Sequence, residues 1–344
     1  MKRFLSFIVM FTMVFFLVSC NNVGNTATEN ETVSKGEFTP VEWTAIGYLD
    51  STNYHSMQQR AFCDAITERT DGLLTINFYA AGELPFTGYE FVAITSDGTA
   101  QISFPGAGYY DTEVPSAGVG GWLRMCSNNA EVLEVMDALE DHNAAAFAEY
   151  GVENLGLWSM AGQGWFGTGS IPQKWTDLKG TKFRTHASMF ADIMRPYGIE
   201  PVSISWGEVI PSLQRGVCDG ALTGMTSAYD AGWQEVTDWI IPMEAQCCYG
   251  LILCNSEALA SMPDDIQQIV REEAANYQEI SYSYNEEQTA KVINDFRELG
   301  MAIVELSDEE LADIDNYASA TWEGLAQEYG CEDALAIARK IVGK

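Results

Sequence analysis

The chain has 344 residues, 47% of them hydrophobic and 12% aromatic, which excludes wholesale disorder and is long enough for two domains. Its 18 basic residues stand against 49 acidic ones, a formal net charge of −31, with no basic run anywhere. Such a surface repels phosphate backbones, which excludes nucleic acid as a partner, and any anionic ligand needs a local cation to hold it.

Lys2 and Arg3 precede an apolar run from Phe4 to Val18, interrupted only by Ser6 and Thr12. That is the basic n-region and apolar h-region of a signal peptide, too short for a comfortable membrane span. Leu17-Val18-Ser19-Cys20 then resembles a bacterial lipobox, in which cleavage leaves Cys20 as the lipid-modified first residue. Residues 1–19 read as a lipoprotein signal peptide, and 20–37 as the lipidated cysteine with a polar, flexible tether. The expectation is an exported protein anchored by lipid at Cys20, on the outer face of the cytoplasmic membrane or in the periplasm. Seven further cysteines (Cys63, Cys126, Cys218, Cys247, Cys248, Cys254, Cys331) form no C-x-x-C and share no repeated spacing. They read mostly as buried, reduced thiols, with room for one bridge.

Beyond the tether the pattern alternates. Val41–Leu49 is strand-like, Met57 to Ile66 follow a helical face, and Leu73–Tyr79 alternates as a strand. A short helix at Glu90–Thr95, a strand at Ala100–Phe104, a helix over Asn129–Tyr150 and an apolar strand at Leu155–Ser159 follow. The pattern restarts after Gly162: strand Thr181–Thr185, helix Ser188–Tyr197, strand Pro201–Ile204, helix Trp206–Arg215 and strand Cys218–Thr223. Gly250–Cys254 is expected to cross into another sheet. Pro263 to about Leu299 keeps helical spacing throughout; at 1.5 Å per residue such a helix outspans one small domain. The reading is an α/β fold of two lobes, bridged by the long helix, with a ligand cleft between them. Lobe I takes 38–160 plus roughly 247–285, and lobe II takes 161–246 plus roughly 286–344.

One block carries more. Asp177-Leu178-Lys179-Gly180, Lys182, Arg184, Gly198, Pro201, Glu208-Val209, Leu213-Gln214, Gly216 and Asp219-Gly220 fall at set intervals. This resembles the DctP-type solute-binding proteins of TRAP transporters (tripartite ATP-independent periplasmic transporters). Gly72, Gly82-Glu83-Leu84, Asp97-Gly98 and Met262-Pro263-Asp264 extend the resemblance over nearly all of the exported chain. It implies a two-lobed periplasmic-binding-protein-like fold and an arginine, here Arg184, that salt-bridges the ligand's carboxylate. A guanidinium suits that task because it offers two parallel N–H donors.

Departures from the family pattern narrow the ligand. The second arginine that many sugar-acid binders carry is absent from Met160–Phe166, where Gln163 and Trp165 stand instead. The usual D-G-x-E-N becomes Asp219-Gly220-Ala221-Leu222-Thr223, so Thr223 replaces the amide. Trp206 stands where relatives often place an aromatic against the ligand, and Tyr48 and Tyr109 end strands facing the cleft. Ligand-binding candidates are therefore Arg184, Trp206, Thr223, Trp165, Gln163, Tyr48 and Tyr109. The order of ligands is an aromatic or branched hydrophobic monocarboxylate, then a short dicarboxylate or 2-oxo acid, then a sugar acid. For Trp165 and Trp206 core packing is the alternative, and for Arg184 a surface ion pair.

His55, His142 and His186 are scattered, with no metal spacing, and no cofactor is implied. There is no G-x-S-x-G and no H-E-x-x-H, so a lipoprotein hydrolase is a remote alternative and no catalytic residue is named. The resemblance implies a non-enzymatic receptor that closes on a small organic carboxylate and delivers it to small and large TRAP membrane subunits. A receptor presenting its solute to a sensor or to another transporter is the alternative.

Overall fold

The computed structural model describes residues 38–344 apart from Ala187 and residues 244–247, so the signal peptide, Cys20, the tether and Cys247 lie outside the described residues. The chain opens with β1 (Val41–Gly47), α1 (Tyr54–Arg69) and β2 (Leu74–Tyr79). Asn53 starts α1 by accepting from the His55 N–H at 2.9 Å, which satisfies one of the helix's unpaired donors. Then come α2 (Phe91–Ser96), β3 (Ile102–Phe104), α3 (Asn129–Ala138) and α4 (Glu140–Ala148). The single helix expected over Asn129–Tyr150 is therefore two. It breaks at Leu139, where Glu140 and Asp141 favour a fresh helix start.

β4 (Val152–Met160) ends the first half, and β5 (Gln163–Gly167) begins the second. There follow β6 (Lys182–Thr185), α5 (Ser188–Met194), β7 (Glu200–Ser203), α6 (Val209–Gln214), β8 (Gly220–Gly224), α7 (Met225–Asp230) and β9 (Trp239–Met243). The chain returns through β10 (Cys248–Asn255), α8 (Ser256–Ala260) and α9 (Asp264–Glu298). It ends with β11 (Ala302–Ile303), α10 (Asp308–Tyr329) and α11 (Glu332–Val342).

These strands build two sheets, ordered β2-β1-β3-β10-β4 and β11-β9-β5-β8-β6-β7. In the first, β1 pairs parallel with β2 and β3, while β10 runs antiparallel between β3 and β4. So the apolar segment Gly250–Cys254 does cross back into the first sheet. The two sheets are the cores of two lobes of a mixed α/β, periplasmic-binding-protein-like fold.

At 35 residues, α9 is about 52 Å long and packs on α1 and β4 of the first lobe and on α7 and β11 of the second. Asn285 fixes its middle, donating to Ser159 O at 2.6 Å where β4 leaves the first sheet. The C-terminal pair also straddles the lobes. Tyr317 of α10 packs edge-on against Tyr197 of lobe II, whereas Trp322 donates to Leu123 O and α11 packs on α3. The stretch 286–344, assigned above to lobe II, thus reaches lobe I through α11. Cys63, Cys126, Cys218, Cys248, Cys254 and Cys331 are all buried thiols. Among the described residues no helix is long and apolar enough to cross a membrane.

Candidate functional site

Arg184 lies near the end of β6, where lobe II meets lobe I, and is 1% exposed. Its Nε donates to Ile204 O at 2.8 Å and its Nη1 to Leu222 O at 3.0 Å. Among the described residues no Asp or Glu oxygen comes within 4.0 Å of it. In a chain with 49 acids, a buried guanidinium with no carboxylate beside it among the described residues is unusual. Desolvating a charge is costly unless an opposite charge compensates it.

Aromatic side chains wall this charge. Tyr48, just past β1, and Tyr109, in the loop after β3, pack edge-on at 4.9 Å between centroids. Tyr48 also meets Trp206 edge-on at 6.4 Å, and Trp206 stacks on Trp233 at 5.5 Å. Tyr48, Tyr109 and Trp206 are all buried. The Tyr48 hydroxyl donates to Met160 Sδ at 3.5 Å, and Gly106 leaves room for it, since a Cβ there would lie 2.5 Å from the hydroxyl oxygen. The Tyr109 phenol sits against the Arg184 guanidinium and the Trp206 backbone. Burial pushes the phenol up to about 12, against the pull of the nearby guanidinium, so it stays a protonated donor. His186, 6.2 Å from the Tyr109 ring, is held down to about 3 by burial and by Arg184, and is therefore neutral. The result is a fixed positive charge, a protonated phenol beside it and a set of ring faces.

The lobes touch around this cluster. Trp206 Nε1 donates to Asp50 of lobe I at 2.8 Å, and Tyr89 Oη lies 3.0 Å from Ser203 Oγ of lobe II. The Tyr54 N–H at the start of α1 donates to Asp230 Oδ2, at the end of α7, at 3.1 Å. The chain is in a closed arrangement.

Comparison with known proteins agrees with this geometry. The family model of bacterial extracellular solute-binding protein, family 7 (DctP), matches residues 48–328. The chain belongs to the DctP family. An uncharacterized protein of Haemophilus influenzae is 23% identical over 277 residues, 80% of this chain and 84% of that one. An extracytoplasmic solute receptor of Bordetella pertussis binding pyroglutamic acid superposes with a TM-score of 0.81 at 18% identity, over 87% of this chain and 99% of that one. A TRAP periplasmic solute-binding protein of Sulfurospirillum deleyianum with bound succinate gives 0.79 at 16% identity, over 88% and 99%. Like its family, this DctP protein is an extracytoplasmic solute-binding receptor and not an enzyme.

Within the receptor the candidate residues separate. The register pairs Arg184 with Ala221, so Thr223 shares its face of the sheet, one residue past the carbonyl that Arg184 binds. Trp165 pairs with Leu222 and so lies on the opposite face, packed on Trp175 at 4.7 Å and Phe183 at 5.3 Å. It is a core residue away from the guanidinium. Gln163 is fully buried beside the Cys248 thiol, at the point where the chain passes between lobes. Asp50 and Tyr89, which tie the lobes together, carry no signal in the sequence beyond their residue types. Among the described residues no group of three His, Cys, Asp or Glu side chains could hold a metal ion.

Proposed function

We propose that this receptor captures a small organic carboxylate through Arg184 and hands it to the small and large membrane subunits of a TRAP-type transporter. The observation that carries the reading is the buried guanidinium without a carboxylate partner among the described residues. A ligand carboxylate entering the cleft supplies the missing charge, and closure strengthens the pair by excluding water. Tyr109 Oη is placed to give a further hydrogen bond. Tyr48, Tyr109 and Trp206 give the ligand's body ring surface and few polar partners, which favours an aromatic or otherwise hydrophobic acid over a sugar acid. Thr223 contributes one hydroxyl on the Arg184 side. The relatives with pyroglutamic acid and succinate support the organic-acid class. We further propose that Cys20 carries the lipid that keeps the receptor at the membrane surface.

The test is a thermal-shift screen of the exported chain against small carboxylates, repeated with Arg184→Ala. Ligand at about 100 times its Kd stabilises the fold by roughly 2.7 kcal/mol, several degrees for a chain this long. Hits that vanish in Arg184→Ala support the reading; hits that survive it place the anchor elsewhere. Mass spectrometry of the mature N-terminus decides the Cys20 proposal.

A further inference from the structure

The Trp206 indole belongs to one lobe by packing and to the other by hydrogen bonding. Its ring stacks on Trp233 at 5.5 Å and 25°, and Trp233 is itself 1% exposed and fixed against Phe166 of β5. These contacts lie within lobe II. The indole N–H instead reaches Asp50, two residues past Tyr48 at the end of β1, with Nε1 to Oδ2 at 2.8 Å. When the lobes part, the ring keeps its stack and the hydrogen bond is exchanged for water. In the closed form the bond joins a carboxylate acceptor on a half-buried residue to a donor on a buried side chain, and hydrogen bonds to charged groups are among the stronger ones.

We propose that Asp50 is a positioning residue of the binding cycle: by accepting from Trp206 it fastens lobe I to lobe II and fixes the ring wall beside Arg184. This rests on the reading of the interlobe cleft as the ligand site, and it adds a residue that touches no ligand. Asp50 acts through Trp206, which joins its two surroundings, the Tyr48 edge in lobe I and the Trp233 face in lobe II. Losing the bond favours the open form about tenfold or more, the range for a hydrogen bond to a charged group.

Small-angle X-ray scattering of the purified protein, alone and with pyroglutamate as the probe, reads the closed-to-open ratio. Asp50→Ala and Trp206→Phe each lower it about tenfold. The double variant is no more open than either single one, and Asp50→Asn, which keeps an acceptor oxygen, recovers part of the loss. Additive losses, an unchanged ratio, or an Asp50→Asn variant as open as Asp50→Ala overturn the proposal. The carboxylate reading fails separately: it falls if pyroglutamate closes Arg184→Ala as well as it closes the wild-type protein, whereas the Asp50 effect is read from Asp50→Ala against the wild-type protein with no probe present.

Discussion

Tyr89 Oη and Ser203 Oγ lie 3.0 Å apart, joining the segment before α2 in lobe I to the end of β7 in lobe II. Both residues are exposed, and the Tyr89 ring also packs edge-on against Tyr109 at 4.9 Å. Solvent competes for such a hydrogen bond, so Tyr89→Phe is expected to weaken ligand binding by no more than about 1 kcal/mol. Tyr89→Ala also removes the support behind Tyr109 and should weaken binding several-fold more. Titration calorimetry with the carboxylate found by screening checks the order Phe before Ala.

Arg184→Met separates binding from stability. The substitution removes a buried charge with no carboxylate beside it among the described residues but also leaves Ile204 O and Leu222 O without their donor. These effects oppose each other, so the ligand-free melting temperature should move by the equivalent of less than about 2 kcal/mol. Stabilisation by carboxylates should vanish altogether. A large loss of ligand-free stability would instead make Arg184 a structural residue.

Gly106 brings the backbone close against Tyr48. A Cβ there would meet the Tyr48 hydroxyl at 2.5 Å and its ring carbons at 2.8 and 2.9 Å. Because Tyr48 is packed between Tyr109, Trp158 and Trp206, it has nowhere to retreat. Gly106→Ala should destabilise the fold by about 1–3 kcal/mol and lower ligand affinity together. Urea unfolding and calorimetry on one preparation show whether both fall.

Asp111 is buried, accepts from the Gly108 N–H at 3.3 Å, and is pushed up to about 7 mainly by desolvation. Its folded-state proton is held more tightly than in the unfolded chain. The stability this confers is full below pH 4 and is lost as pH rises through about 7. Asp111→Asn keeps the acceptor and abolishes the titration. Relative to the variant, the wild-type protein should lose on the order of 2–4 kcal/mol between pH 4 and pH 8 and no more above that. Melting curves at pH 4, 6 and 8 test the slope, and a difference independent of pH would contradict it.

The fold was legible where periodicity was long or alternation clean. The helix read from Pro263 to about Leu299 is α9 almost to the residue, because apolar positions such as Ile266, Ile269 and Val270 stay on one face for many turns. β5 and β9 went unread for local reasons. β5 holds Gly164 and Gly167, which look like loop residues yet are small because Ile240 and Trp239 press on them. β9 carries Pro242, which argues against a central strand. In the site, Arg184 stood out through its motif, whereas Trp165 could not be told from a ligand contact until the register put it on the other face of the sheet. Asp50 is one of 49 acids and gains meaning only from the indole opposite it.

Both carbonyls that hold Arg184 belong to lobe II, one just beyond β7 and one on β8. The guanidinium is therefore aimed by lobe II alone, before lobe I arrives. With Arg184 as the proposed anchor, capture is expected to run in a fixed order, an anion landing on lobe II first and lobe I swinging over it afterwards. The arrival rate is set by how readily a small anion crosses the field of a strongly acidic protein, so added salt should speed it. On the same proposal, departure depends on what lobe I brings with it. Substitutions in lobe I should accordingly change how long a ligand stays far more than how fast it comes.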